Sequence, residues 1–186
     1  MTTSRTQTIL EDFVTRARAA AASDSCSADL RDVLRKSLLQ ANAFADAIAA
    51  MAEDEVMLFE DETCSIWTCR YDADVVLAPH EHCIPVHIAV YRGTEVEVLY
   101  KQEQDRLRHG GNRNVSAGDV TRLGPDAIHA ITAEGEGQSH AIHIYEGPLT
   151  QVERSLFDWT SGAEIAFTME NFHAMKRKKS DMAEFR

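Results

Sequence analysis

The chain lacks any apolar run near the ~18 residues that a membrane-spanning helix needs. Its opening MTTSRTQT lacks the charged-then-apolar pattern of an export signal. A cytoplasmic protein with no membrane partner is therefore expected. Positive charge is scarce as well: 19 Lys and Arg stand against 30 Asp and Glu, a formal net charge of −11. A phosphate-binding face needs the opposite balance, so no nucleic-acid partner is expected. The one basic run, Lys176 to Lys179, reads as a solvated helix end whose cations complement the helix dipole. The four cysteines (Cys26, Cys64, Cys69, Cys83) show no zinc-type pairing and read as free thiols. Internal repeats and low-complexity linkers are absent too. What remains is a 186-residue chain, 44% apolar and 26% charged, of a size and composition that make one domain with its own core.

Residues 8 to 22 have the pattern of a helix. Thr8 and Glu11 have capping-box spacing, and Ile9, Leu10, Phe13, Val14 and Ala17 share a stripe. After a polar break at 23–27, a second helix is expected from Leu30 to Ile48. From Val56 the period becomes strand-like, with short runs at 56–59, 65–70, 74–77, 86–91, 94–100, 119–123, 129–132, 139–145 and 153–159. Turn-formers separate them, among them Arg92-Gly93, His109 to Asn112, and Gly124-Pro125. Short strands without intervening helices imply a β-barrel or sandwich. Ser161 and Glu164 are expected to cap a short turn, and residues 168 to 180 to form a weakly amphipathic helix. The expected organisation is a helical extension over 1–55, a barrel over 56–160 and a helical tail over 161–186.

The chemistry gathers at PHEHCIPVHIAVYRG, residues 79 to 93. His80 and His82, at i, i+2 on a strand, present both rings to one face. Imidazole is the commonest protein ligand for transition metals, and His129, from a later strand, would complete a three-nitrogen site. His87 is open between a fourth ligand or site-wall group and a core histidine. The other histidines, His109, His140 and His173, are expected at the surface.

His80, His82, Gly93, Gly118, Pro125 and His129 resemble the two motifs of the cupin superfamily. That resemblance implies a mainly β fold: a double-stranded β-helix, or jelly-roll barrel, here with N-terminal helices and a short C-terminal helix. Within cupins the chain is most similar to the thiol dioxygenases, cysteine dioxygenase and, more closely, 3-mercaptopropionate dioxygenase. PHEH (79–82), GDV (118–120), PDAIH (125–129) and HIYEG (143–147) carry the likeness, which covers about residues 56–159. Where many cupins place a Glu after the second histidine, this chain has Val86 and His87.

The resemblance implies an Fe(II) enzyme that adds dioxygen to a small carboxylated thiol, giving the sulfinic acid. His80, His82 and His129 would hold the metal, although such sites also accept Ni, Mn or Zn. The family's Ser-x-His-x-Tyr run falls on Ala141, His143 and Tyr145. His and Tyr are kept, and the serine that partners the histidine is lost. The alternative for His143 and Tyr145 is a buried pair without chemistry. Arg154 stands at the spacing of the arginine that holds the substrate carboxylate in the 3-mercaptopropionate enzymes; a surface ion pair with Glu153 or Asp158 is the alternative. Arg70, the only arginine upstream of the first histidine in that neighbourhood, lies too close to it for the cysteine dioxygenase pattern, which disfavours cysteine as substrate. Cys83 is off-register for a Cys–Tyr crosslink. The rival readings are another metal-dependent cupin enzyme (a non-thiol dioxygenase, isomerase or hydrolase) and a cupin that binds a small molecule without turnover.

Overall fold

A computed structural model of the chain describes residues 5–103 and 106–185. Residues 1–4, part of the stretch read above for an export signal, lie outside the described residues. Three helices open it: α1 (Arg5–Ala21), α2 (Cys26–Ser37) and α3 (Ala41–Ala49). The stripe of α1 is buried through Leu10, Phe13 and Ala17. Thr8 lies within α1 and is not its cap, so the expected Thr8–Glu11 capping pair does not start the helix. The single helix expected over 30–48 is instead two helices split by a 3-10 turn at Leu38–Gln40. Ser37 accounts for the break. Its buried hydroxyl donates to the Leu34 carbonyl at 2.6 Å and meets the Tyr91 hydroxyl at 2.6 Å, competing with the helical ladder.

The strands are β1 (Glu55–Glu60), β2 (Ser65–Tyr71), β3 (Val75–Val76), β4 (Val86–Arg92), β5 (Thr94–Glu103), β6 (Arg106–Ser116), β7 (Val120–Leu123), β8 (Ile128–Glu134), β9 (Ser139–Tyr145), β10 (Ser155–Phe157), β11 (Glu164–Ala166) and β12 (Arg177–Lys178), with α4 (Met169–Ala174) between the last two. One antiparallel sheet runs β1-β2-β9-β4-β7, and a second contains β6-β5-β8. The backbone of His80 extends the second sheet: it bridges His129 of β8 on one side and Leu156 of β10 on the other. Strands distant in sequence, β2 with β9 and β5 with β8, are therefore neighbours, and two wound sheets enclose an interior. This is the cupin double-stranded β-helix, with helices at the N-terminus and a short one near the C-terminus.

Both sheets are covered on the outside. Ile66, Ala89, Tyr91, Ile142 and Ile144 pack beneath the N-terminal helices with Phe13, Leu34 and Phe44, and Phe44 stacks on Tyr91 at 5.0 Å between centroids. Val96, Val98, Tyr100 and Ala130 pack with Val76, Trp159 and Met182. The interior therefore receives the other face of each strand, including Glu95 and Glu97 of β5, both fully buried.

Four local expectations fail, or hold only in part, for physical reasons. His109 to Asn112 is not a turn but the middle of β6, where Leu99 pairs with Gly111 and Tyr100 with His109. Gly110 is the extra residue of a β-bulge, and a side chain there would meet the Leu99 carbonyl at 3.3 Å. The tail over 161–186 is helical only at Met169–Ala174 and in brief 3-10 turns; β11 pairs with β10, and β12 with β3. The turn before β11 is held by the Asp158 carboxylate, which accepts from the Thr160 and Ser161 amides, and not by a Ser161–Glu164 cap. His140, expected at the surface, is buried and bonds the Ala45 carbonyl at 3.0 Å.

Candidate metal centre

Antiparallel bonding fixes the metal-ligand candidates. His80 and His129 exchange both backbone hydrogen bonds at 2.9 Å, so the two segments meet across one rung. The i, i+2 step then brings His82 to the same side. The Nε2 atoms of His80 and His82 are 3.1 Å apart, and those of His82 and His129 are 3.4 Å apart. Three donors bound at about 2.1 Å around one ion lie about 3.0–3.4 Å from one another for octahedral to tetrahedral angles, so this spacing fits a transition metal. All three rings are buried.

Two of the three tautomers are set by the surroundings. His80 Nδ1–H donates to the Ala78 carbonyl at 2.8 Å. His129 Nδ1–H donates to the Glu97 carboxylate. Both rings thereby turn an unprotonated Nε2 toward the common point, where its lone pair is available to a cation. Burial, then the close approach of the His129 ring, pushes His80 and His82 well below the usual histidine range, so both stay neutral and able to ligate. For Glu97, burial pushes the carboxyl up, but the attraction and hydrogen bond of the His129 ring outweigh it and hold the group below its usual value.

His143 and Tyr145 face the interior from β9. The Tyr145 ring stands edge-on to His82 at 4.9 Å between centroids, and its hydroxyl lies 3.5 Å from His143 Nδ1. Ala141 occupies the serine position of the resembled motif, yet His143 is not left without a partner. Its Nε2–H donates to Glu95 at 3.1 Å. Burial lowers the pKa of His143, but the Glu95 charge and hydrogen bond outweigh it, so the group is pushed up.

His87 is not a fourth ligand. On β4 it is offset by one residue from the inward-facing Val86 and Ile88, which sends its ring to the helix side of the sheet. There its Nε2 bonds Glu146 at 2.7 Å and lies 3.4 Å from the Ser27 hydroxyl.

Beside the histidines is a small cavity of about 40 Å³, lined in part by Glu55, Trp67, Cys69, Tyr145 and Arg154 and on another side by Phe167, Met169 and Phe172. Phe172 of α4 stands edge-on to His80 at 5.2 Å. An outer cavity of about 280 Å³ shares Glu55, Tyr71 and Met169 as its wall with the inner one. Arg154 takes no ion pair with Glu153 or Asp158; its guanidinium lies 3.4 Å from the Phe167 ring centroid. Cys83 is exposed and lines neither cavity, whereas the buried Cys69 lines the inner one.

Glu55, Glu95 and Glu97 were not singled out from sequence. Glu95 and Glu97 alternate with Val96 and Val98, the pattern of a half-solvated strand, and only the covering of the apolar side turns the acids inward. The available signal was a two-residue spacing of carboxylates able to partner inward histidines.

Fold and donor set together define a double-stranded β-helix of cupin type with a three-histidine group able to hold a metal ion. No family model and no curated protein matches the chain. Solved structures with a similar fold include a protein of unknown function with a cupin-like fold from Ralstonia eutropha, 18% identical, covering 64% of this chain and 69% of its own, at a TM-score of 0.45. An uncharacterized protein with a double-stranded β-helix domain from Klebsiella pneumoniae is 16% identical, covering 58% and 88%, at a TM-score of 0.43. A DMSP lyase from Ruegeria pomeroyi is 14% identical, covering 52% and 44%, at a TM-score of 0.41.

Proposed function

We propose that the protein is a metal-dependent dioxygenase that converts a small carboxylated thiol to its sulfinic acid. The supporting observation is that His80 and His82 share one cavity with the Tyr145 phenol and the Arg154 guanidinium, which has no ion pair among the described residues. The reaction balances without a further reductant, because both oxygen atoms pass to sulfur: RSH + O₂ gives RSO₂H. Iron(II) held by His80, His82 and His129 would supply the Lewis-acid and redox chemistry that joins sulfur to dioxygen.

The chain's own residues account for the remaining roles. Arg154 grips the substrate carboxylate with paired hydrogen bonds. Phe167, Met169 and Phe172 exclude water from the cavity. Glu95 fixes the His143 ring through Nε2–H, which leaves Nδ1 to accept from the Tyr145 hydroxyl. Tyr145 Oη can then take or return a proton beside the substrate. In this chain a carboxylate from β5 serves His143 where the resembled family uses a serine, so Ala141 does not count against the reading. His87 lies away from the centre, which removes the four-histidine argument for a different metal chemistry.

The test is oxygen uptake by purified protein reconstituted with ferrous iron, across 3-mercaptopropionate, cysteine and other small thiols. Thiol-dependent uptake with sulfinate formation is expected, and its loss in His129→Ala. No uptake with any thiol in the panel, from protein that has bound iron, refutes the proposal.

A further inference from the structure

The inner cavity is lined by two side chains of opposite formal charge, and neither is hydrogen-bonded or ion-paired through its charged group among the described residues. The Arg154 guanidinium touches the Phe167 face, but no acceptor bonds it among the described residues. Glu55 opens β1 opposite Cys69, whose side chain lines the same cavity. Its carboxylate accepts no hydrogen bond and enters no ion pair among the described residues. Lys176 lines only the outer cavity and is not in ion-pair contact with it. Glu55 and Arg154 are themselves not within salt-bridge distance, so the cavity keeps them apart.

Half-buried charges in a narrow cavity with no bonded counter-charge gain most when a ligand brings one. A ligand with only a carboxylate answers Arg154 and leaves Glu55 facing an anion. A ligand with both a carboxylate and an ammonium answers both. Burial pushes the Glu55 carboxyl up, against the charges of His143, Lys176 and Arg154, so a nearby ammonium favours its ionised form.

We propose that Glu55 and Arg154 form a two-charge subsite that selects a zwitterion, with Arg154 taking the carboxylate and Glu55 the ammonium. This rests on the proposed dioxygenase only in making that zwitterion a thiol. It reverses the preference for a thiol without an amino group that the position of Arg154 alone suggests.

The subsite can be tested without turnover, using zinc-loaded protein and thiol-free probes. Calorimetric titration with β-alanine and with propionate is expected to show β-alanine binding about tenfold or more tightly, the worth of one charge-assisted hydrogen bond. Glu55→Gln should bring the two ligands to similar affinity, and Arg154→Gln should weaken both. Equal affinities in the wild type, no binding of either probe at millimolar concentration, or a preference that survives Glu55→Gln would each overturn the proposal. If Glu55→Gln fails to fold, as judged by circular dichroism, the wild-type comparison decides alone. A zwitterion preference without thiol oxidation would leave the subsite standing and remove the dioxygenase. Oxygen uptake with no such preference would do the reverse.

Discussion

Glu97 offers the sharpest test of the metal centre, because it touches a candidate ligand without being one. It is fully buried, and one carboxylate oxygen accepts from His129 Nδ1–H. Glu97→Gln keeps the shape and an acceptor but removes the charge that makes His129 a stronger donor at Nε2. Removing such a supporting contact typically lowers metal affinity 10- to 100-fold, about 1.4 to 2.8 kcal/mol. The fold should hardly notice. The substitution removes a buried charge and keeps an acceptor for His129 Nδ1–H, so metal-free stability should stay within about 1 kcal/mol, or 2–4 °C in melting temperature at this chain length. Competition for zinc against a chromogenic chelator, run beside thermal melts of metal-free protein, separates the two effects. Wild-type metal affinity in a folded Glu97→Gln variant would refute the role given to this carboxylate. Loss of melting temperature without loss of affinity would make it a structural residue only.

Tyr145→Phe should leave metal content unchanged and lower thiol-dependent oxygen uptake by about 10²-fold, the usual worth of a positioned proton-transfer group; uptake at the wild-type rate rejects that role. His87→Leu should bind metal as the wild type does, checked by metal analysis, since its ring lies on the helix side of the sheet. Phe44→Ala should cost about 3–5 kcal/mol in denaturant unfolding by opening a cavity between the helices and Tyr91, while a folded sample keeps its metal affinity. Acid should destabilise the metal-free protein. His80 and His82 stay neutral below the usual histidine value of about 6.5, where the unfolded chain takes up protons, so stability falls as pH drops from that value toward their lowered ones. His143 has the opposite sign: its stabilisation is complete below about 6.5 and is lost only as pH rises through its raised value. Melting temperatures between pH 7 and 5 should therefore decline, less steeply in His82→Asn, and a flat wild-type profile contradicts this.

The ligand pattern and the barrel were legible because they are local. Two histidines two residues apart on a strand share a face whatever surrounds them, and Gly93, Gly118, Pro125 and His129 mark recognisable steps along the chain. Strand existence was legible in the same way, through alternation and β-branched content. The facing of each strand was not. Alternation in β5 states that Glu95 and Glu97 share a side, and in β4 that His87 opposes Val86, but neither states which side is inward. That was decided by what covers the second face: the N-terminal helices over β4 and β9, and Val76, Trp159 and Met182 over β5. Those contacts join segments tens of residues apart, so they turned acids that alternation alone leaves on either face into supports for His129 and His143. They also turned His87, read as a possible ligand, toward Glu146. Spacing along the chain determined which residues could act together; burial of the opposite face determined which of them do.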